Sequence, residues 1–364
     1  MNILHIVGAR PNFMKAAPVL DALRRRAGVQ QMLVHTGQHY DYAMSEVFFH
    51  QLGLPSPDLN LEVGSGTHTT QTAQVMLRLE PILLERKPKI VIVYGDVNST
   101  VAAALVCAKL GIPLAHVEAG LRSFDRTMPE EINRLLTDQI ADLLFTPSQD
   151  ADENLLREGV TPAKIHFVGN VMIDTLVRLL PVALEKWKGN SLTIDSVMVE
   201  KNRYALVTLH RPSNVDNPDM LSRLMNALAE ISRDVPILFP VHPRTRQRLR
   251  EMRSDFPDTR LHLVAPIGYL DFLALQRYAT LVITDSGGIQ EETTYLGVPC
   301  LTVRENTERP VTVSIGTNIL VGQDMQRLMR ETQAILSGKT KKGAVPPLWD
   351  GYAAERIAEI ILRA

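Results

Sequence analysis

The sequence has little cysteine. Cys107 and Cys300 are the only two in 364 residues, and both lie in apolar runs. This count excludes a disulfide framework and is typical of buried thiols in a reducing compartment. The first stretch, MNILHIVGAR, has no basic segment ahead of an apolar one, and no apolar run is long enough to span a bilayer. We therefore expect a cytoplasmic protein.

An excess of charge of either sign is also missing. The formal net charge is -1, and Lys and Arg are spread along the chain instead of forming a basic block. Nucleic acid and anionic membrane surfaces are therefore disfavoured as partners. A small anion is still compatible with this composition.

Several ligand-binding motifs are absent as well. The chain has neither G-x-G-x-x-G nor G-x-x-x-x-G-K-[ST], which disfavours a tightly bound dinucleotide or a P-loop nucleotide. The HVE triplet ending at Glu118 resembles part of a deaminase motif, but Cys300 is not followed by a second cysteine in the C-x-x-C spacing that a zinc deaminase requires. We expect neither a metal site nor a cofactor.

What the sequence does contain is an alternation of short apolar runs with longer amphipathic ones. Runs such as NILHIV, KIVIVY, PLAHV, YALVTL and TLVIT are apolar throughout, and helical patterns such as NFMKAAPVLDALRRR lie between them. Strands of this kind indicate a parallel sheet that is covered on both faces. The fold class is therefore α/β, with two doubly wound domains.

The domain boundary is placed by a change in composition. A polar segment, EKWKGNSLTIDSVMVEKNR, separates the first series of strands from the second. We expect an N-terminal domain over residues 1–175 and a C-terminal domain over residues 176–364. The final stretch, GYAAERIAEIILRA, has the pattern of an amphipathic helix, and packing back on the N-terminal domain is one option for it.

Charged and polar residues recur directly after the predicted strands. In open α/β sheets ligands bind beyond the carboxyl ends of the strands, so these residues are candidates for one site if the two domains face each other. Taken singly, each also has a structural interpretation, as a helix cap or an internally bonded histidine. The set comprises Arg10, Lys15, Asp96, Glu118, His210, Arg211, His242, Arg244 and Ser286.

The stretch TDSGGIQEE, from Thr284 to Glu292, follows a strand and opens a helix. Two glycines at a helix N-terminus let backbone amides approach a phosphate, and the helix dipole favours the negative charge. Together with the cations and acids above, this stretch indicates a nucleotide diphosphate ligand. Two enzyme classes fit: glycosyltransferases with two facing α/β domains, and enzymes that rearrange a sugar nucleotide.

Eight motifs then favour one family. GARPNFMKAAPV, TGQH, YGDVNST, HVEAGLR, PEEINR, LHRPSNVD, TDSGGIQEE and ENTERP, in this order, resemble the non-hydrolysing UDP-N-acetylglucosamine 2-epimerase family along nearly the whole chain. The resemblance implies two Rossmann-like domains facing a central cleft, similar to the GT-B glycosyltransferase architecture. It implies interconversion of UDP-N-acetylglucosamine and UDP-N-acetylmannosamine by loss and re-addition of UDP through a 2-acetamidoglucal, usually in a homodimer.

The resemblance also implies roles for individual residues. The catalytic candidates are Asp96, Glu118, Glu130 and His210. The substrate-binding candidates are Arg10, Lys15, Arg211, Phe272, Ser286, Gly287, Gly288, Glu292 and Arg309. Gln38, His39 and His242 correspond to a regulatory site, although Tyr40 stands where many bacterial members have arginine. A hydrolysing epimerase and a two-domain glycosyltransferase remain the alternatives.

Overall fold

The computed structural model describes residues 1–37, 52–185, 187, 189–241, 243–251 and 259–364. At Arg10, Pro243 and Arg244 it describes the backbone alone. The chain divides into two units, one formed by Met1–Arg178 with Pro347–Ala364 and the other by Leu179–Pro346. Within the described ranges, no helix is both long and apolar enough to cross a bilayer.

Unit 1 is built on a parallel sheet of seven strands with the order β3-β2-β1-β4-β5-β6-β7. The strands are β1 (Asn2–Val7), β2 (Gln30–His35), β3 (Leu59–Asn60), β4 (Ile90–Tyr94), β5 (Leu114–Val117), β6 (Leu143–Thr146) and β7 (Ile165–Phe167). The helices are α1 (Arg10–Arg24), α2 (His68–Arg86), α3 (Asn98–Leu110), α4 (Pro129–Ile140), α5 (Gln149–Arg157), the first part of α6 (Val171–Glu185), which continues past Arg178 into unit 2, and the last helix, α14 (Ala353–Arg363), with a 3₁₀ turn at Pro162–Lys164. The chain reverses its direction of travel across the sheet between β1 and β4.

Unit 2 contains a parallel sheet of six strands with the order β12-β11-β10-β13-β14-β15. These strands are β10 (Ala205–Thr208), β11 (Ile237–Pro240), β12 (Leu261–Val264), β13 (Leu281–Thr284), β14 (Cys300–Thr302) and β15 (Asn318–Leu320). Its helices are α7 (Pro212–Val215), α8 (Pro218–Ile231), α9 (Pro243–Glu251), α10 (Tyr269–Arg277), α11 (Gly287–Leu296), α12 (Pro310–Ser314) and α13 (Met325–Leu336). This is the order of a dinucleotide-binding Rossmann sheet, and its direction reverses between β10 and β13.

Each unit has its own core, formed where apolar strands meet the inner faces of helices. In unit 1, Val91 and Val93 of β4 pack in one cluster with Ala103 of α3 and Leu79 of α2. In unit 2, the corresponding cluster joins β10, β11 and β13 with α8 and includes Phe239. The two parallel sheets confirm the α/β fold class with its uniformly apolar strands.

The polar segment that we interpreted as a connection between domains contains a hairpin. Strands β8 (Ser191–Ile194) and β9 (Val197–Glu200) pair antiparallel, joined by Asp195 and Ser196. Both linking residues have positive φ, 48° and 68°, as a tight two-residue hairpin turn requires. Alternating polar and apolar residues are typical of a half-exposed hairpin, which explains why the segment looked like a polar linker.

The last helix packs within unit 1. The Asp174 carboxylate of α6 accepts hydrogen bonds from the backbone amides of Ala353 and Ala354, at 3.2 and 2.7 Å, and thus caps the N-terminus of α14. Just ahead of this helix, Trp349 Nε1 donates to the Pro147 carbonyl at 2.9 Å. Burial raises the pKa of Asp174 to about 6, against the effect of the two amides.

Candidate active site

The sheet of unit 1 places β1 and β4 side by side, and a single side chain ties their carboxyl ends together. Asn12 Oδ1 accepts from the amides of Gly8 and Ala9 at 3.1 and 3.2 Å. Its Nδ2 donates to the Tyr94 carbonyl at 2.6 Å. The loop that leads into α1 is therefore fixed against the end of β4, where a ligand of an open α/β sheet binds.

Lys15 and Glu118 form a buried ion pair at this edge, with side chains only 6% and 5% exposed. Glu118 directly follows β5 and has φ of 73°, a conformation that is strained for glutamate. Gly95, after β4, has φ of 62°, and a Cβ there would lie 2.6 Å from Lys15 Nζ and 3.4 Å from Glu118 Oε2. Glycine is thus required at position 95 because the ion pair lies against its backbone.

Asp96 is the next residue, and its partly exposed carboxylate pairs with Arg134 Nη1. Arg134 Nη2 also donates to Glu131 Oε2 at 2.6 Å. Glu131 in turn accepts from the Ser123 amide at 3.0 Å and the Phe124 amide at 2.9 Å. Burial opposes ionisation, but these donors hold the pKa of Glu131 below its ordinary value. Arg134 therefore pairs with Glu131 through Nη2 and with Asp96 through Nη1.

Glu130 and Glu131 differ in their surroundings although they are adjacent in the PEE motif. Glu131 is buried and belongs to the ion-pair network, a structural role that the sequence analysis missed. The sequence feature that indicates this role is the spacing between Glu131 and Arg134, which follows three residues later in α4. Glu130 lies half-buried in the first turn of α4. Its side chain has no hydrogen bond or ion pair to the rest of the described chain, so its assignment to catalysis stays a prediction.

In unit 2 the corresponding edge contains a histidine oriented by a buried acid. The Asp285 carboxylate, after β13, lies 3.1 Å from His210 Nδ1. It also accepts from the Arg211 amide at 2.9 Å and from Asn214 Nδ2 at 3.0 Å. Burial opposes ionisation of Asp285, yet His210 and the other donors keep its pKa below the ordinary value. Asp285 pairs with Nδ1 of His210, whose side chain is 57% exposed, so Nε2 of this imidazole can bind a ligand.

Asp285 was missed by the sequence analysis, although it lies inside the TDSGG motif. The signal that could have found it was an acid at the end of β13, the strand that pairs with β10 and so lies beside the one that His210 follows. Of the predicted phosphate-binding amides, that of Ser286 donates to Thr284 Oγ1 at 3.0 Å. The amides of Gly287 and Gly288 lie in the first turn of α11, where helical amides lack an acceptor within the helix.

Gly287 has a second reason to be glycine. A Cβ at this position would lie 2.7 Å from Glu308 Oε1 and would also meet the Arg309 guanidinium. Arg309 is itself buried and pairs with Glu308 and, through Nε at 2.8 Å, with Glu291. Arg211 Nη2 lies 3.9 Å from Glu308 Oε1. The cations predicted to contact a phosphate or sugar thus already face carboxylates, so a ligand would have to share them.

Glu292, predicted to bind the ribose, is buried on α11. Tyr269 Oη of α10 donates to its Oε1 at 2.9 Å. Burial raises the pKa of Glu292 to about 7, against the opposing effects of Tyr269 and Gln276. Phe272, predicted to lie near uracil, is half-buried one turn along α10 from Tyr269. The sequence did not predict a role for Tyr269, because no feature other than its position in α10 distinguishes this residue.

Three predicted residues lie outside the described residues: Gln38, His39 and His242. Arg10 is placed only as the first residue of α1. Across the described ranges, no group of three or more His, Cys, Asp and Glu side chains is arranged to hold a metal ion.

Two parallel-sheet units, each with acids and cations where the sheet reverses direction, define the class of α/β proteins that bind a ligand beyond the carboxyl ends of their strands. The chain matches the family described as UDP-N-acetylglucosamine 2-epimerase over residues 21–362. It belongs to this family, as the motifs indicated, so the expected fold class and the assignment as a UDP-N-acetylglucosamine 2-epimerase are confirmed, whereas the non-hydrolysing mechanism stays a prediction. A glycosyltransferase of kitacinnamycin, at 14% identity and a TM-score of 0.59, shares the fold alone.

Relatives cover the whole chain. The UDP-N-acetylglucosamine 2-epimerase of Methanocaldococcus jannaschii is 44% identical over 99% of both chains. A crystal structure of the M. jannaschii UDP-GlcNAc 2-epimerase in complex with UDP-GlcNAc and UDP matches with a TM-score of 0.89 and 43% identity, covering 100% of both chains. The UDP-2,3-diacetamido-2,3-dideoxy-D-glucuronate 2-epimerase of Pseudomonas aeruginosa is 41% identical over 100% of both chains.

Proposed function

We propose that this protein interconverts UDP-N-acetylglucosamine and UDP-N-acetylmannosamine without hydrolysing either. The hydrogen on C2 has no adjacent carbonyl to acidify it, so direct deprotonation would have a very high barrier. Elimination avoids this difficulty: a base takes the C2 proton as UDP leaves C1, giving 2-acetamidoglucal. UDP then adds back and a proton is delivered to the other face of C2, which gives the epimer.

The observation that carries the proposal is the pair of acids at neighbouring strand ends. Asp96 follows β4 and Glu118 follows β5, and each is paired with a cation, Arg134 and Lys15 respectively. Two carboxylates at one edge of the sheet fit a reaction that exchanges a proton with both faces of one carbon. We assign proton transfer to these two acids together with Glu130. We assign Lys15 to balance the change in charge on Glu118 when that carboxylate gains or loses a proton.

Unit 2 is proposed to hold UDP and stabilise it as it leaves. His210, oriented by Asp285, donates to the departing diphosphate. The amides of Gly287 and Gly288, with that of Ser286 contributing once released from Thr284, bind the phosphates at the N-terminus of α11. Arg211 and Arg309 add positive charge, and we assign the same role to Arg10 of unit 1. Glu292 accepts from the ribose hydroxyls, and Phe272 lies against uracil.

The test is to incubate the purified protein with UDP-N-acetylglucosamine in heavy water and follow the sugar by proton NMR. We expect UDP-N-acetylmannosamine as a minority product with deuterium at C2, because the eliminated proton exchanges with solvent. Accumulation of free N-acetylmannosamine and UDP would indicate a hydrolysing enzyme instead. Transfer of the sugar to an acceptor with C2 unchanged would indicate a glycosyltransferase, and binding without turnover a sugar-nucleotide-binding module.

A second substrate is favoured by one comparison. The 41% identical relative is a 2-epimerase of UDP-2,3-diacetamido-2,3-dideoxy-D-glucuronate, and the same elimination applies because its C2 also bears an acetamido group next to C1. Measuring kcat/KM for both sugar nucleotides in parallel distinguishes the two assignments. A larger value for the diacetamido uronate would move the assignment to that substrate.

We also propose a homodimer in the cytoplasm. The cytoplasmic assignment is supported by the thiols of Cys107 and Cys300, which are both buried and free of any disulfide. Light scattering on the purified protein measures the oligomeric state, and a monomer at assay concentration would contradict the dimer. Fractionation of the source cells tests the compartment.

A further inference from the structure

His116 of β5 is completely buried, and both of its ring nitrogens are hydrogen-bonded. Nδ1 lies 2.6 Å from Asp138 Oδ1 of α4. Nε2 lies 2.8 Å from the carbonyl oxygen of Gly95, in the turn after β4. The imidazole thus bridges a helix on one side and the turn that carries Asp96 on the other.

Both partners of this ring accept hydrogen bonds. The Gly95 carbonyl has no proton to donate. The other oxygen of Asp138 accepts from the Gly120 amide at 3.1 Å and lies 2.7 Å from Arg122 Nη1, so the carboxylate is fully engaged as an acceptor. A neutral imidazole has one bare nitrogen, and in either tautomer its lone pair would face an oxygen at hydrogen-bond distance. Because the Arg122 guanidinium keeps Asp138 ionised, only the doubly protonated ring can donate to both oxygens.

The surrounding charges balance when the ring is positive. Arg122 donates to both oxygens of Glu158, at 2.8 and 2.7 Å, and pairs with Asp138 as well. His116 and Arg122 then oppose Asp138 and Glu158, which makes two cations and two anions in one cluster. Buried charges are tolerated when they are paired and hydrogen-bonded in this way. Burial opposes ionisation of Asp138, but His116 and Arg122 keep its pKa below the ordinary value.

The contact with Gly95 has a consequence for Asp96. The Gly95 carbonyl belongs to the peptide group that precedes Asp96, and the following peptide group is held by Asn133 Nδ2, which donates to the Asp96 carbonyl at 2.8 Å. Side chains from β5 and α4 therefore fix both peptide groups that flank this acid. We propose that His116 is an imidazolium that donates from both ring nitrogens, and a positioning residue that holds Asp96 in place for proton transfer. The positioning role rests on the function proposed for Asp96, whereas the charge on His116 does not.

His5 of β1 provides a matched contrast in the same sheet. It is also completely buried. Its Nδ1 lies 2.7 Å from Tyr94 Oη, and Gln31 is the other polar side chain that interacts with the ring. Burial lowers the pKa of His5 to about 3, so this ring is neutral. Two buried histidines of one sheet are thus expected to differ in charge.

Nitrogen NMR of the full-length protein labelled with ¹⁵N-histidine tests the charge directly. At about pH 8.5, where an ordinary histidine is neutral, we expect both ring nitrogens of His116 to carry protons. His5 should show one protonated and one bare nitrogen in the same spectrum. Loss of signals in His116→Gln and in His5→Gln assigns the two rings. A bare nitrogen on His116 at this pH would overturn the proposal.

Kinetics test the positioning role. Glutamine in His116→Gln cannot carry the positive charge of the imidazolium. Asp138→Asn keeps the shape of the Asp138 side chain but removes its negative charge. Both variants should lower kcat per folded molecule about tenfold to a hundredfold, since small misplacements of a reacting group have effects of this size. KM should change by no more than about threefold. His5→Gln is the control and should keep kcat within about twofold of the parent.

The pH profile separates positioning from mere support of the fold. Loss of a buried positive charge near Asp96 should move the acidic limb of the kcat/KM profile to higher pH in His116→Gln. A variant that only folds less well would show a lower melting temperature with an unchanged profile and unchanged kcat per folded molecule, and this result would overturn the positioning role. If the parent protein does not epimerise the sugar nucleotide, the function proposed above fails, while the NMR spectrum still decides the charge.

Discussion

Replacement of Glu292 by glutamine should stabilise the protein at alkaline pH while weakening UDP binding. Folding raises the pKa of this carboxyl from 4.5 to about 7. Between these values the folded protein holds a proton that the unfolded chain has released. The contribution of Glu292 to stability is therefore greatest in acid and declines as the pH rises from about 4.5 to about 7, by about 1.4 kcal/mol per pH unit.

The total decline follows from the size of the shift. Because the side chain is fully buried, solvent screening is minor, and the loss amounts to about 3 kcal/mol above pH 7. Glutamine has nearly the same shape and does not ionise. We thus expect the free energy of unfolding of Glu292→Gln to equal that of the parent at about pH 4 and to exceed it by up to about 3 kcal/mol at about pH 8.

The same substitution removes the anion proposed to accept from the ribose. A hydrogen bond to a carboxylate is stronger than one to an amide by about 1 kcal/mol or more, so the variant should bind UDP about tenfold less tightly at about pH 8. Urea unfolding at both pH values and calorimetry with UDP measure the two effects. Glu230→Gln, an exposed residue of unit 2, is the control. A stability difference that does not change with pH would show that Glu292 is ionised throughout, and unchanged UDP affinity would refute its ribose contact.

Three further outcomes test the site. Asp96→Asn and Glu118→Gln should each lower kcat about a hundredfold or more with little change in UDP affinity; near-normal rates would mean that both acids only support the fold. Asp285→Asn should lower kcat about tenfold or more by releasing His210. Adding His210→Asn to this variant should cause little further loss of kcat. If the effects of the two substitutions on kcat are fully additive, Asp285 does not act through His210. Gly287→Ala should destabilise the protein by about 1–3 kcal/mol because its Cβ meets Glu308 and Arg309; Gly66→Ala, whose Cβ has its nearest neighbour at 3.7 Å, is the control, and equal melting temperatures would contradict the contact.

Much of the architecture could be predicted because buried parallel strands have an unmistakable composition. Every residue of β4 is buried, and a charged residue directly after such a strand must lie at the sheet edge. This reasoning places Asp96 and Glu118 at the ends of neighbouring strands. It does not find β3, because a strand of two residues has too little sequence to form a pattern.

The partners of the site residues could not be predicted, because they are distant in the sequence. Asp285 contacts His210 from 75 residues away, and Asp138 contacts His116 from 22 residues away. No local pattern distinguishes these acids from helix caps. The same limit applies to Gly287, for which the sequence suggested an approaching phosphate but not the side chains of Glu308 and Arg309 that pack against it.

The return of residues 347–364 to unit 1 affects how the protein can be made. Unit 2 is one uninterrupted stretch, from Leu179 to Pro346, so it can fold as soon as that stretch has left the ribosome. Unit 1 is complete only once residues 353–363 have also been synthesised, because α14 supplies the buried Ile357 and Ile361 together with Glu355, which pairs with Arg25 and Arg26 just after α1. The unit that contains Asp96 and Glu118 is therefore completed after unit 2, and a chain truncated ahead of α14 would contain all of unit 2 but only part of unit 1.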